Sequence, residues 1–299
     1  MQGLIGPLKE LAEFEELCKN KKKDAGMIRV CGCVNSQKSH MMYAIGDGCK
    51  YKVIACSSET KAKQIYEEYR FLDNNTYLYP AKDFLFYKAD IRSKELVKQR
   101  MEGIQAVLSG TPVTIVTKFW TGFMDHLAPK ESIEEKVLKI QNDSVLKLDE
   151  MAERLSDVGY DREVQVEGPG QFAVRGGILD IYPLTEEFPV RIEFWGDEVD
   201  SIRTFDPETQ RSIEKLDEVE VFPATEFPEE EEKRVSFLDY FEKENTILFL
   251  DEPVRLKEKG EGVEEEFLEA QKRRAQSGYE VADSEAVLFT TQEIMRKIE

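Results

Sequence analysis

Between residues 164 and 221 apolar side chains return at every second position, and glycines break the run at short intervals. Period 2 is the repeat of a half-buried strand, because successive side chains leave opposite faces of a pleated sheet. A helix over the same stretch would scatter these residues round its whole circumference. The region is therefore expected to form a small antiparallel β domain of short strands joined by glycine turns. The alternation also assigns faces. Over residues 171–175, Phe172 and Val174 point inward, so Ala173 and Arg175 point outward. Over residues 189–195, Val190, Ile192 and Phe194 point inward, and Arg191, Glu193 and Trp195 share the outer face. An outward tryptophan beside two arginines is the composition of a binding hot spot. Two structural explanations compete with that one: Trp195 covers a neighbouring domain, or Arg191 and Glu193 pair with charges across the sheet.

The flanking segments have a different period. In the first ~125 residues, strand-like apolar runs at 28–34, 51–55, 75–79 and 112–117 alternate with helical patterns. Ser58 starts a helix with Ala62, Ile65, Tyr66 and Tyr69 on one face, and residues 93–108 place Leu96, Val97, Met101 and Ile104 inward before stopping at Ser109-Gly110. Such alternation implies a largely parallel sheet. Residues 146–158 read as a helix ended by Gly159. Beyond Val221 come a buried-type strand at 246–250 (TILFL), a long charged helix at 258–275, and a strand and helix start at 286–299. That last unit stops without a cap, so a longer parent protein is expected.

With 41 Lys+Arg against 60 Asp+Glu, the net charge is −19. A protein that grips DNA by bulk electrostatics carries a basic excess or stripe, so protein partners suit this chain better. Five cysteines, at 18, 31, 33, 49 and 56, make no disulfide framework. Cys31 and Cys33 are expected to be reduced core thiols rather than metal ligands, since zinc needs four placed donors. The sequence contains no apolar run near the roughly 20 residues that span a bilayer, and its N-terminus lacks a signal-peptide layout. A soluble cytoplasmic protein is expected, with no membrane partner.

One stretch has the outline of a phosphate loop. Gly32 is followed by Gln37, Lys38 and Ser39, between an expected strand and a helix, where the pattern is G-x-x-x-x-G-K-[ST]. Lys38 and Ser39 hold the phosphate-contacting and magnesium-contacting positions, and Gln37 replaces the second glycine. That glycine lets backbone wrap the phosphates in a conformation costly for other residues. Asp251-Glu252, after TILFL, has the form of a Walker B acidic pair. The set reads as a degenerate nucleotide site in a scaffold; residual nucleotide binding or ATPase activity is the alternative.

The stretch VEGPGQFAVRGGILDIYP, with PVRIEFWGDEVDSIRTFDPETQRS after it, resembles the N-terminal module of the bacterial transcription-repair coupling factors. LYPAKDFLFYKAD and ILFLDEPVRL resemble that family too. The module is similar to domains 1a, 2 and 1b of the excision-repair protein UvrB. The resemblance implies an α/β fold, like a degenerate phosphate-loop NTPase, with an inserted small β-rich α+β domain. It divides the chain into a 1a-like lobe (1–127), a UvrA-binding adaptor domain (128–217) and a 1b-like segment packing on the first lobe (218–299). It implies recruitment of UvrA to a stalled RNA polymerase, through Arg175, Arg191 and Trp195, with Glu193 beside them. Ala173 stands where UvrB has a further arginine, and Trp195 where a phenylalanine is usual. No cofactor and no enzyme activity of its own are expected for this part; the alternative is a residual nucleotide-binding or ATPase lobe, or a UvrB-like DNA-loading lobe. ATP, RNA polymerase and DNA would be engaged by other parts of a coupling factor, and its C-terminal domain would contact this module. UvrB's DNA-inserting hairpin would fall near residues 79–87, a segment too short for it.

Overall fold

A computed structural model describes residues 2–21, 26–33, 36–80, 94–226, 233–278 and 288–298. The fold is α/β, with one parallel and one mixed sheet, and the chain divides into two compact units. Among the described residues no helix is long and apolar enough to cross a membrane.

The first unit comprises Met1–Ala81, Thr111–Asp125 and Phe241–Glu299. It holds helices α1 (Gln2–Lys9), α2 (Ala12–Lys21), α3 (Ser36–Ile45), α4 (Glu59–Arg70), α6 (Phe119–Phe123), α9 (Pro253–Gln276) and α10 (Thr291–Ile298). Its strands are β1 (Tyr51–Cys56), β2 (Thr76–Tyr79), β3 (Val113–Lys118) and β12 (Thr246–Leu250). They form a parallel sheet in the order β12-β1-β3-β2. All six residues of the inner strand β1 are buried, as expected where helices cover a parallel sheet. Ser58 caps α4 as the sequence implied, its hydroxyl accepting from the Lys61 N–H, and Ala62, Ile65 and Tyr69 are buried along one helix face. Helix α9 lies close to α6. A methyl group at Gly260 would run into the Trp120 ring, so glycine is favoured there. The Trp120 indole N–H donates to the Leu256 carbonyl.

The second unit comprises Lys82–Gly110 and His126–Tyr240. It contains α5 (Lys94–Leu108), α7 (Lys130–Lys136), α8 (Leu148–Asp157), a two-stranded ladder of β4 (Leu138–Gln141) with β11 (Glu218–Val221), and a six-stranded sheet. That sheet runs β10-β9-β8-β7-β6-β5: Asp161–Arg162 (β5), Gln171–Arg175 (β6), Ile178–Tyr182 (β7), Val190–Trp195 (β8), Glu198–Phe205 (β9) and Ser212–Leu216 (β10). β6 to β10 form the antiparallel meander predicted from period 2, and β5 adds in parallel. One face packs on α8 and on the ladder, through Met151, Leu155, Phe172, Leu179, Ile181, Val190, Ile192, Val199 and Ile202. Each such side chain contributes about 1.5–3 kcal/mol on burial.

Four expectations need correction. Residues 26–33 form no strand, and Met27, Ile28 and Val30 are exposed. The run is apolar enough for a strand, but it pairs with no sheet edge. The loop before α3 therefore lacks the strand a phosphate loop needs; Val34 and Asn35 lie outside the described residues. Cys31 is exposed and Cys33 half-buried, so neither is a core thiol. β12 is half-buried throughout, because it occupies a sheet edge. Ala173 faces outward by alternation yet is buried, with Phe205 and Tyr182, under Val166. Residues 286–287 of the last expected strand and 81–87 of the aromatic segment lie outside the described residues.

Candidate functional site

The outer face of the six-stranded sheet carries the four residues picked out by alternation. Register orders them in rows. One row runs Ala173–Asp180–Arg191–Arg203, and the next runs Arg175–Ile178–Glu193–Ser201. Trp195 pairs with Glu198 one row further on. The register shift between β8 and β9 places its extra residue in β9, so β8 keeps its alternation and Trp195 stays on the face of Arg191 and Glu193. Arg175 and Trp195 each immediately precede a two-residue turn, and Gly176 (φ 60°) and Gly196 (φ 65°) take the left-handed conformation those turns require. β6 and β8 run the same way, so both side chains sit at the same end of the sheet.

Exposure separates the four. Trp195 is 82% exposed, far more than a packed tryptophan shows. The Arg175 side chain is 45% exposed, and the Arg191 side chain only 13%. Arg191 donates from Nε and Nη2 to Asp180 at 2.6 and 2.8 Å, and from Nη2 to Gln210 at 2.7 Å. Its guanidinium also stacks on Phe205, 4.3 Å from the ring centroid. Arg175 donates from Nη2 to Asp180 at 2.8 Å. Glu193 accepts two hydrogen bonds from Arg203, at 2.9 and 2.6 Å, and one from Ser201 at 2.9 Å. The Arg203 guanidinium holds the Glu193 carboxyl below the usual range, and the Asp180 carboxylate raises the Arg191 pKa further. Charge pairing across the sheet thus accounts for Arg191 and Glu193. Trp195 and Arg175 are what the face offers to solvent. Sequence reasoning passed over Asp180, Arg203 and Gln210. The signal for Asp180 was a lone acid at an outward position of an otherwise apolar strand.

The second constellation lies in the first unit. The Lys38 ammonium donates to Asp251 Oδ1 at 2.7 Å, and Ser39 donates from Oγ to Glu68 at 2.7 Å. Two residues 213 positions apart are thereby brought together. The Asp251 side chain is 2% exposed, and its Oδ2 has no hydrogen-bond partner among the described residues. The bond to Asp251 raises the Lys38 pKa, and burial pushes the nearby Cys56 thiol up to about 12. Glu252 turns away in a left-handed conformation (φ 57°) and pairs with Arg255 at 3.0 Å. Gly32 (φ 90°) and Gln37 are exposed. Lysine and hydroxyl are therefore engaged by carboxylates. Among the described residues no group of three or more His, Cys, Asp or Glu is arranged to hold a metal ion.

The β-rich region defines a class. Residues 138–227, which take in the β4–β11 ladder, α8 and the whole six-stranded sheet, match the UvrB interaction domain. The chain is also similar to several transcription-repair-coupling factors. It is 38% identical to that of Bacillus subtilis over 170 residues, 56% of this chain and 14% of the relative. For Staphylococcus aureus the figures are 33% over 159 residues, 53% of the chain and 13% of the relative. For Haemophilus influenzae they are 32% over 151 residues, 50% and 13%. The matched stretch thus spans about one seventh of the curated relatives' length. The resemblance to the coupling factors read from the sequence is thereby shown.

Proposed function

We propose that this chain is a docking module of transcription-repair coupling, and that the outer face of its six-stranded sheet captures UvrA. The observation that carries the reading is Trp195, 82% exposed on the outer face of a sheet that matches the UvrB interaction domain. Burying an aromatic side chain of this size against a partner is what hot spots do, and an arginine beside it supplies directed hydrogen bonds. Arg175 is the exposed arginine of the face, and Arg191 and Glu193 stiffen the platform behind it. Engagement of RNA polymerase and DNA, and ATP-driven movement, belong in this reading to other parts of a coupling factor.

The first unit serves as a scaffold without ATPase activity, and the 1a-, 2- and 1b-like division at 1–127, 128–217 and 218–299 is part of the same reading. Gln37 stands in for the second glycine, Lys38 is neutralised by Asp251, and Ser39 is bonded to Glu68. A surviving nucleotide site is the second reading, favoured by the proximity of Lys38 and Asp251.

Titration of purified UvrA onto the chain, with Trp195→Ala and Arg175→Ala alongside, tests the proposal. Loss of a hot-spot contact of about 2 kcal/mol weakens binding roughly 30-fold. Both variants are expected to lose at least that much while keeping the unmutated melting curve. Absence of binding by the unmutated chain, or full binding by both variants, would overturn it.

A further inference from the structure

Asp180 is a carboxylate where alternation calls for a solvent-facing residue, yet it is 1% exposed. It lies in β7 between Ala173 of β6 and Arg191 of β8. Three guanidinium N–H groups converge on it: Arg175 Nη2 at 2.8 Å on Oδ2, Arg191 Nε at 2.6 Å on Oδ1, and Arg191 Nη2 at 2.8 Å on Oδ2. The two arginines are not held alike. Arg191 also has Gln210 and the Phe205 ring. For the Arg175 side chain, the bond to Asp180 is the one hydrogen bond formed among the described residues. The side chain is 45% exposed, which leaves its remaining N–H donors for a partner.

We propose that Asp180 is the positioning residue of the recognition face: it cannot reach a partner itself, and it fixes the Arg175 guanidinium so that its remaining donors are aimed before the partner arrives. The inference rests on the UvrA-docking reading above. The physical reason is conformational. A free arginine samples many rotamers, and ordering it on binding weakens association. Two guanidiniums side by side also repel, and one carboxylate between them removes that repulsion while leaving the cluster with a net positive charge. Asparagine at this position keeps the shape but turns an N–H donor toward other donors, so Arg175 is released while Gln210 and the Phe205 ring still hold Arg191.

The experiment pairs an order measurement with a binding cycle. 15N relaxation of the arginine Nε–Hε groups is measured in the free chain, unmutated and as Asp180→Asn, and UvrA affinity is measured for the same proteins with Arg175→Ala and Trp195→Ala added singly. Expected are a rigid Arg175 Nε–Hε that becomes mobile in Asp180→Asn and affinity reduced about tenfold with the melt still cooperative. In that background Arg175→Ala costs less than a further twofold, whereas Trp195→Ala keeps its full penalty. A general loosening of the sheet would make all losses multiply. Unchanged Arg175 order, unchanged affinity, or multiplied losses overturns the assignment. Should Asp180→Asn lose its cooperative melt, Arg175→Lys replaces it, leaving the buried carboxylate in place. Lysine lacks the fork, so binding as weak as that of Arg175→Ala supports fixed geometry, and unmutated affinity refutes it. If the unmutated chain does not bind UvrA, the docking reading falls, and arginine order alone decides the role of Asp180.

Discussion

Replacing Lys38 by methionine is expected to destabilise the first unit by about 2 kcal/mol at neutral pH. The estimate starts from the geometry. Asp251 is 2% exposed and Lys38 24%, with 2.7 Å between ammonium and carboxylate. Removing one partner of a fully buried pair costs about 3–5 kcal/mol, because the other charge is left without compensation. Water reaches Lys38 in part, which lowers that figure. Asp251 Oδ2 already lacks a partner among the described residues, so none of them takes over. For a unit of this size a loss of 2 kcal/mol corresponds to a fall in Tm of about 4–8 °C. The double variant Lys38→Met with Asp251→Asn removes the orphaned charge and should recover most of the loss. The sign with pH follows from the raised Lys38 pKa. The stabilisation is complete below the ordinary lysine value of about 10.4 and is lost as pH rises through the folded value. Urea midpoints of the three proteins between pH 7 and 11 measure it. Equal stability of Lys38→Met and the unmutated chain, or no recovery in the double variant, would refute the reasoning and leave the lysine free for phosphate. Mg-ATP provides a second check. A ligand at a hundred times its Kd stabilises by about 2.7 kcal/mol. A melting shift of that size, lost in Lys38→Met, would establish the nucleotide site instead.

Three further outcomes follow from contacts elsewhere. Gly260→Ala places a methyl group against the Trp120 ring and should destabilise by about 1–3 kcal/mol, whereas Gly262→Ala, with nothing within 4 Å, should be neutral or stabilise by up to about 1 kcal/mol; thermal melts of the two separate packing from helix propensity. Arg100 is fully buried and donates from Nε to both Glu226 oxygens at 2.7 and 3.0 Å. Arg100→Met should therefore cost about 3–5 kcal/mol by urea denaturation, and adding Glu226→Gln should return much of it. Arg203→Met releases Glu193, whose carboxyl is held below its usual range by that arginine. The stability gap to the unmutated chain should be full above about pH 4.3 and narrow as pH falls through the folded value, and a gap that does not narrow on acidification would count against the pair.

What could be read from the chain was whatever local pattern decides. Period 2 located the meander and its buried face, from Phe172 to Ile192, and the 3.6-residue period located α4 and α5 with their buried residues. Lys38 and Asp251, both singled out in the sequence, meet in the fold as an ion pair, Lys38 in the first turn of α3 and Asp251 directly after β12. The failures share a cause, which is that burial on the second face depends on distant chain. Alternation sent Ala173 outward, but it packs with Val166 and Phe205, and Asp180, which sequence reasoning passed over, is buried beneath two arginines. Arg100, a charge within a helix, gave no sign that Glu226 would meet it 126 residues later. Residues 28–34 had strand composition, but composition does not provide a neighbouring strand to bond with.

The parallel sheet of the first unit has a consequence for how the protein emerges from the ribosome. Its buried strand β1 is bordered by β12, and Tyr51 finds its register partner only at Thr246. At ribosomal synthesis rates that separation lasts on the order of ten seconds or more. Throughout that interval one edge of an almost wholly apolar strand is without its neighbour. The meander of the second unit is made of consecutive hairpins and depends on no such wait. The six-stranded sheet can therefore be complete while the older part of the chain is still open. During synthesis the risk of aggregation falls on the first unit, and chaperone dependence should follow mutations in β1 and β12 rather than in the face that carries Trp195.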